Sequence, residues 1–327
     1  MPAGYGEILT AAEASGSMVQ WAPDVRLPRK WFHKEWLARE AQWRLFRIAY
    51  LGGDDFIRST NPLTLFSHER ESAKSYLDRR RRASYVNHAA PIVGLKSDAI
   101  YQPQVLRGQG KPQQDRPVPG EDPDPDDMRV RRVLDGVPGF EAFLQDVDLL
   151  GTNADPFWNE VSRWARVYGK EWVEIGMTSD PGLVAAAAAE GRRIRMSEAE
   201  AAGIRPFFRK HSPLSVINWE CDAHGRLTQA VVIACEERRI MLPNQQTEQP
   251  APRFIARVLT RTHEAQFLLG TRGGLTPLGS TLHDFGEVPL VPVTCRPDGR
   301  SDLEDIARLA ISAFNYRALI DEQVYRQ

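Results

Sequence analysis

Between Arg107 and Asp127 the chain carries five prolines and three glycines. Proline at that density removes the amide donors that a helix or a sheet ladder needs, so this stretch is read as an exposed loop spanning 108–135. It divides the 327 residues into a helical N-terminal part and a mixed C-terminal part, a length sufficient for a sizeable core. Hydrophobic content of 42% with 26% charged residues excludes wholesale disorder. The longest apolar run, Leu183 to Ala189, is far short of the roughly 20 residues a membrane span requires, so no membrane partner is expected. The first twenty residues lack the basic start and apolar stretch of a signal peptide. Cys221, Cys235 and Cys295 are odd in number and widely spaced. They read as reduced, buried small hydrophobes of a cytoplasmic protein rather than a metal cluster.

Residues 1–25 are rich in Gly, Ala and Ser and read as a flexible arm. In region 26–107, Pro28 sits where a helix can begin, and Trp31 to Leu51 carries helix formers up to Gly52-Gly53. Phe32, Trp36, Trp43 and Phe46 fall within one broad stripe at helical spacing, read as core-facing. A second helix is predicted over Ser67 to Val86, with Pro91 bending or restarting it before Ile92, Val93, Leu95 and Ile100.

Region 136–212 mixes helix and strand. Helices are predicted over Gly139 to Leu150 and from Asp155-Pro156 to the stop at Gly169, followed by a strand over Glu171 to Met177. Short helices follow at Ala185 to Ala189 and Ser197 to Ala202. From 213 to 296 the chain is β-rich, with a hairpin joining Leu214–Cys221 to Leu227–Cys235 through Asp222-Ala223-His224-Gly225. Further strands are placed at Phe254–Thr262, Ala265–Leu269 and Pro289–Val293. In 300–327, Ser301-Asp302-Leu303-Glu304 reads as a capping box opening a long helix, with Leu303, Ile306, Ala307, Ala310 and Phe314 on one face. The helical pattern is still running at Gln327, so a truncated product is expected. The predicted fold class is α+β.

Charge is distributed in blocks. From Arg26 to Arg107 there are sixteen Lys and Arg against eight Asp and Glu; from Gly108 to Glu190 the counts reverse. The net charge is only −1, whereas tight duplex binding calls for an uncompensated basic excess. Matched blocks suit a basic face of one subunit meeting an acidic face of the next, or two solvated surfaces. The sharpest basic feature is Arg79-Arg80-Arg81-Arg82. Four consecutive residues on a helix wrap most of its circumference, so they cannot all be buried without partners. The readings are an exposed helix face, a contact to an adjacent subunit, or a contact to DNA phosphate. The matched blocks favour the subunit contact over DNA.

Catalysis has no foothold on spacing alone, and no cofactor is expected. Asp122, Asp124, Asp126 and Asp127 offer oxygen ligands but lack the Gly and terminal Glu of a calcium loop. His283-Asp284 with Glu287 has no accompanying nucleophile signature. The seven histidines show no paired metal spacing. Gly273-Gly274 and Gly108-Gln109-Gly110 lack the Lys-Ser/Thr of a phosphate loop, which excludes the common motor ATPases.

Three strings together resemble the portal proteins of tailed bacteriophages. One is Tyr50-Leu51-Gly52-Gly53-Asp54-Asp55-Phe56-Ile57-Arg58. The next, Tyr76 through Asn87, matches a Y-x-x-R-x-x-R-A-x-Y-x-N helix of that group. The last runs from Phe285-Gly286-Glu287-Val288-Pro289-Leu290-Val291-Pro292-Val293 on to Asp302 through Asn315-Tyr316. Their order and spacing agree with the family across nearly the whole chain. The resemblance implies N-terminal wing helices, a central β-rich segment and a stem-like C-terminal helix. It also implies a homo-oligomeric ring, usually of twelve, at one capsid vertex, assembled in the host cytoplasm and retained in the virion. Double-stranded DNA would occupy the channel. The terminase motor, capsid and scaffolding proteins and head-completion or tail adaptors would be the partners. Portals are not enzymes, so the resemblance transfers no catalytic residues. The competing class is a metal-dependent nucleic-acid-processing enzyme using the Asp-rich loop; a further one is a non-phage assembly or adaptor protein sharing the wing fold.

Overall fold

The computed structural model describes residues 18–22, 25–57, 64–67, 69–101, 140–192, 194–241, 248–270, 273–283 and 285–326. The 108–135 loop, its four aspartates, the Gly108-Gln109-Gly110 segment, Asp284 and most of the 1–25 arm lie outside the described residues. The fold is mixed α+β, ending on a long helix. The chain divides into two compact units that interleave in sequence: residues 1–93, 164–174 and 210–327 form the first, and 94–163 with 175–209 the second.

The first unit opens with a hairpin, β1 (Met18–Ala22) against β2 (Val25–Pro28), where the sequence had suggested only a flexible arm. Val25 and Leu27 are fully buried, so burial of these two side chains fixes the segment. A 3₁₀ turn over Arg29–Trp31 precedes α1 (Lys34–Leu51). The helix therefore starts after Trp31 and Phe32 rather than at Pro28. His33 supplies its cap, with Nδ1 accepting from the Glu35 amide at 3.2 Å. The aromatic stripe is core, as its spacing predicts: Trp31, Phe32, Trp36, Trp43 and Phe46 are all buried. Gly52, at φ 66°, ends α1, and α2 (Gly53–Ile57) follows. A Cβ on Gly52 would lie 2.6 Å from Nδ2 of Asn87, so that side chain occupies the space glycine leaves.

α3 covers only Ala73–Arg82, capped by Ser72, and is shorter than the 67–86 prediction. The reason lies beyond it. Tyr85 and Asn87 leave the helical path to donate to the carbonyls of Ala49 (2.9 Å) and Tyr50 (2.7 Å) at the end of α1. Carbonyls in the last turn of a helix have no amide four residues on within that helix, and the Tyr85 and Asn87 side chains supply donors there in place of another turn of α3. Asn87 Oδ1 then accepts from Ala90 at 3.0 Å and starts α4 (Ala89–Tyr101), with Pro91 in its first turn.

The β-rich region is a five-stranded antiparallel meander. Its strands are β5 (Val216–Cys221), β6 (Leu227–Met241), β7 (Glu248–Thr260), β8 (His263–Leu269) and β9 (Leu275–Leu282) in sequential order. The Asp222–Gly225 hairpin forms as predicted, with Gly225 at φ 77°. β9 was not foreseen: it holds Pro277 and Gly279 and is exposed along most of its length, so pairing with β8 rather than burial makes it a strand. Cys221 and Cys235 are exposed and Cys295 is half-buried; all are free thiols but not the buried hydrophobes expected.

β3 (Lys170–Met177) pairs antiparallel with β10 (Leu290–Thr294) over Lys170–Glu174, and β4 (Pro206–His211) completes the sheet order β10-β3-β4. Gly169, between α6 (Ala154–Tyr168) and β3, adopts φ 87°. Its missing Cβ leaves room for the backbone of Gly299, Arg300 and Ser301. Ser301 Oγ lies against the Val167 carbonyl and accepts from Leu303 N at 2.9 Å; Arg166 bonds Asp302 at 2.9 Å. The predicted Ser301–Glu304 capping box is not what forms: Ser301 Oγ meets the amide of Leu303 instead of Glu304 and ties the chain to the end of α6, and α9 (Glu304–Arg326) opens after it.

In the second unit, α5 covers Phe140–Gln145 rather than 139–150, and α7 (Pro181–Ala189) and α8 (Met196–Ala201) are the expected short helices. Phe143, Phe157 and Trp158 meet Phe208 with ring centroids 5.1, 5.9 and 5.5 Å away. Arg205 is paired with Asp146, and Ser97 Oγ donates to Asn159 Oδ1 at 2.7 Å.

Substituting Gly169→Ala places a Cβ on backbone atoms that cannot swing away, at a φ disfavoured for alanine. A loss of at least about 2 kcal/mol is expected. A urea midpoint within error of the parent protein contradicts this packing.

Candidate assembly interface

The strings that carry the resemblance are far apart in sequence but meet in the first unit. Phe56 stacks on Tyr85 at 3.8 Å, and the Phe314 ring stands edge-on to Phe56 at 5.1 Å and to Tyr85 at 6.2 Å. Each string contributes one ring. The other marked positions of the second string also make defined contacts. Tyr76 donates to the Leu65 carbonyl at 3.1 Å, Ala83 is buried, and Arg82 lies 4.3 Å over the Tyr325 ring. These are ties between elements, not groups facing a substrate.

The arginine run separates into four environments. Arg79 is buried and bidentate on Glu71, with Nε–Oε1 at 2.9 Å and Nη2–Oε2 at 2.6 Å; Glu322 of α9 lies 3.7 Å away. Arg80 Nε donates to the Ile57 carbonyl at 3.0 Å. Arg81 and Arg82 are both exposed, Arg82 over the Tyr325 ring and Arg81 3.6 Å from Asp78. Treating the run as one intermolecular contact is therefore corrected for Arg79, whose charge is satisfied inside the fold. Local sequence did not show this, because the partners come from Glu71 and from a helix more than two hundred residues later.

α9 is held by Asn315, a buried polar residue whose Nδ2 donates to the Thr64 carbonyl at 2.8 Å while Oδ1 accepts from Phe66 N at 2.9 Å. Leu303, Ala307, Ile311, Phe314 and Ala318 form the buried face. The opposite side is apolar too: Leu309, Tyr316, Ile320 and Val324 are between 59% and 70% exposed. The sequence held this signal, since these residues recur at intervals of seven, four and four, but the core stripe drew the reading to the other face. α9 thus carries an exposed apolar stripe on the side away from its buried face.

Other polar clusters lie elsewhere in the first unit. Glu174 is buried with His211 Nε2 at 2.6 Å and the Arg257 guanidinium on both oxygens at 2.7 and 2.6 Å; Arg257 Nε also reaches Glu264 at 2.7 Å. Burial alone would raise the Glu174 pKa, but the hydrogen bonds from His211 and Arg257 and their charge hold it at about 2. A cleft of about 740 Å³ is lined by Trp172, Trp219, Lys170, Cys221 and Arg261 among others. Lys170 sits 4.3 Å over Trp219 and bonds Glu35 at 3.1 Å, and burial lowers its pKa against the pull of Glu35. Arg261 is likewise paired with Asp222 at 2.7 Å. His283 has no hydrogen-bond partner on either ring nitrogen, and Glu287 lies 4.0 Å from Arg226. Among the described residues no group of three His, Cys, Asp or Glu is arranged to hold a metal, and no helix is long and apolar enough to cross a membrane.

No protein-family model matches the chain, and no curated protein is significantly similar to it.

Two outcomes follow from these charges. Arg79→Met removes the bidentate partner of the buried Glu71 carboxylate, so a loss of about 3–5 kcal/mol is expected, against less than about 0.5 kcal/mol for Arg81→Ala. Equal unfolding midpoints for the two variants contradict the assignment. For Glu174, the folded pKa lies below the ordinary 4.5. Its stabilising contribution is therefore complete above about pH 4.5 and is lost as pH falls toward 2. The stability of Glu174→Gln, measured by denaturant midpoint, is expected to fall less steeply than that of the parent protein across that window.

Proposed function

We propose that this chain is a portal-type subunit of a tailed-phage particle, a structural ring component at the capsid vertex rather than an enzyme. The observation that carries the reading is the meeting of Phe56, Tyr85 and Phe314, one from each string that resembles portals. Residues kept in register to build one aromatic junction are what a shared scaffold requires, and the outward apolar stripe of α9 supplies a surface for neighbours. Net charge near zero suits a conduit through which duplex DNA slides, because strong phosphate neutralisation would hold the DNA in place. Copies of the chain, the DNA in the channel, the terminase motor, the capsid and scaffold and the tail adaptor are the partners this reading proposes.

Sedimentation and negative-stain imaging of the purified chain at micromolar concentration test the reading. Annular particles of many copies are expected. A protein that stays monomeric at tens of micromolar overturns it. So does magnesium- or manganese-dependent cleavage of duplex DNA that Asp124→Ala with Asp126→Ala abolishes.

A further inference from the structure

The cleft of about 740 Å³ lies wholly within the first unit and is of the size that holds a small molecule. Charge does not select its occupant. Arg39 is matched by Glu35 at 4.0 Å, Arg261 by Asp222 at 2.7 Å and Arg226 by Glu287 at 4.0 Å. Trp219, Leu227 and Val291 add apolar surface to the lining, which suits a neutral ring better than an ion.

Lys170 has no carboxylate to itself among the described residues. It bonds Glu35 at 3.1 Å, but Glu35 is shared with Arg39. The ammonium stands 4.3 Å over Trp219 and 5.0 Å over Trp172, and the side chain is only 13% exposed. Burial lowers its pKa, Glu35 pulls the other way, and the charge of Arg39 adds to the lowering. A lysine desolvated in apolar surroundings beside a second cation is the arrangement that activates an amine toward a carbonyl carbon.

We propose that Lys170 is a covalent binding site for small aromatic aldehydes, which condense with its amine to an imine while their ring rests in the cleft. The step balances within the site. Glu35 takes one ammonium proton, and the freed nitrogen pair attacks the carbonyl carbon. A nitrogen proton moves to the oxygen to give a carbinolamine. Glu35 then returns its proton to that hydroxyl, which leaves as water as the C=N bond closes. The product is a protonated imine, so positive charge stays beside Glu35 and the two indoles, and nothing is oxidised or reduced.

Benzaldehyde with sodium cyanoborohydride, which reduces the imine to a stable benzylamine, tests this on the full chain. Peptide mass mapping locates the label among the seven lysines. At neutral pH, Lys170 is expected to label at least about 10-fold faster than the exposed Lys30 and Lys74, because more of its amine is unprotonated and the ring is held beside it. With acetaldehyde, which has no ring to hold, that preference is expected to shrink. Val291→Asp, at an exposed position in the wall, is expected to slow benzaldehyde labelling of Lys170 and leave the other lysines unchanged. Circular dichroism checks that this variant keeps its fold. Lys170 labelling no faster than Lys30 and Lys74 overturns the site. Equal preference with the two aldehydes overturns the aromatic ligand class, and unchanged labelling in Val291→Asp overturns the placing of the ring in the cleft.

Discussion

Burying the Phe314 ring against Phe56 and Tyr85 fixes three backbone segments at once, because each ring comes from a different part of the chain. An aromatic ring withdraws a large apolar area from water, but it does so here only if α2, the extended segment after α3, and α9 all arrive together. The surrounding polar groups follow from that constraint. Tyr85 and Asn87 reach the open carbonyls at the end of α1, and Asn315 bonds the 64–66 segment because α9 is already held beside it.

Charge is used in the same way. Arg79 with Glu71, and Glu174 with His211 and Arg257, are withdrawn from water and satisfied on several sides. Such groups add little net stability over an apolar replacement, but they tolerate only one arrangement of the elements that carry them. A basic run that looks like one surface feature therefore contributes its first arginine to the interior and exposes Arg81 and Arg82.

The outer side of α9 is the place where the chain leaves apolar surface unspent. A helix that is apolar on two sides normally lies between two partners. Within the first unit only one of those partners is found for the described part of α9, and its outer side stays exposed.

Much of the local structure was legible in the sequence. The helix that starts at Ala154, just before the predicted Asp155 cap, its Gly169 stop, the Asp222–Gly225 turn and the spacing of Leu303, Ala307, Ala310 and Phe314 are short-range signals, set by backbone geometry within a few residues. The core role of Trp36 and Trp43 was legible for the same reason. Other features belong to the tertiary structure. β9 exists because β8 offers it a ladder, α3 stops early because Tyr85 and Asn87 are needed at the end of α1, and Arg79 is interior because Glu71 and Glu322 come to it. Each depends on a partner supplied by the folded chain, and no local periodicity records where that partner is. The α+β character was therefore settled by the sequence alone, whereas which arginine, which ring and which face of α9 meet what was decided only when distant segments closed on one another.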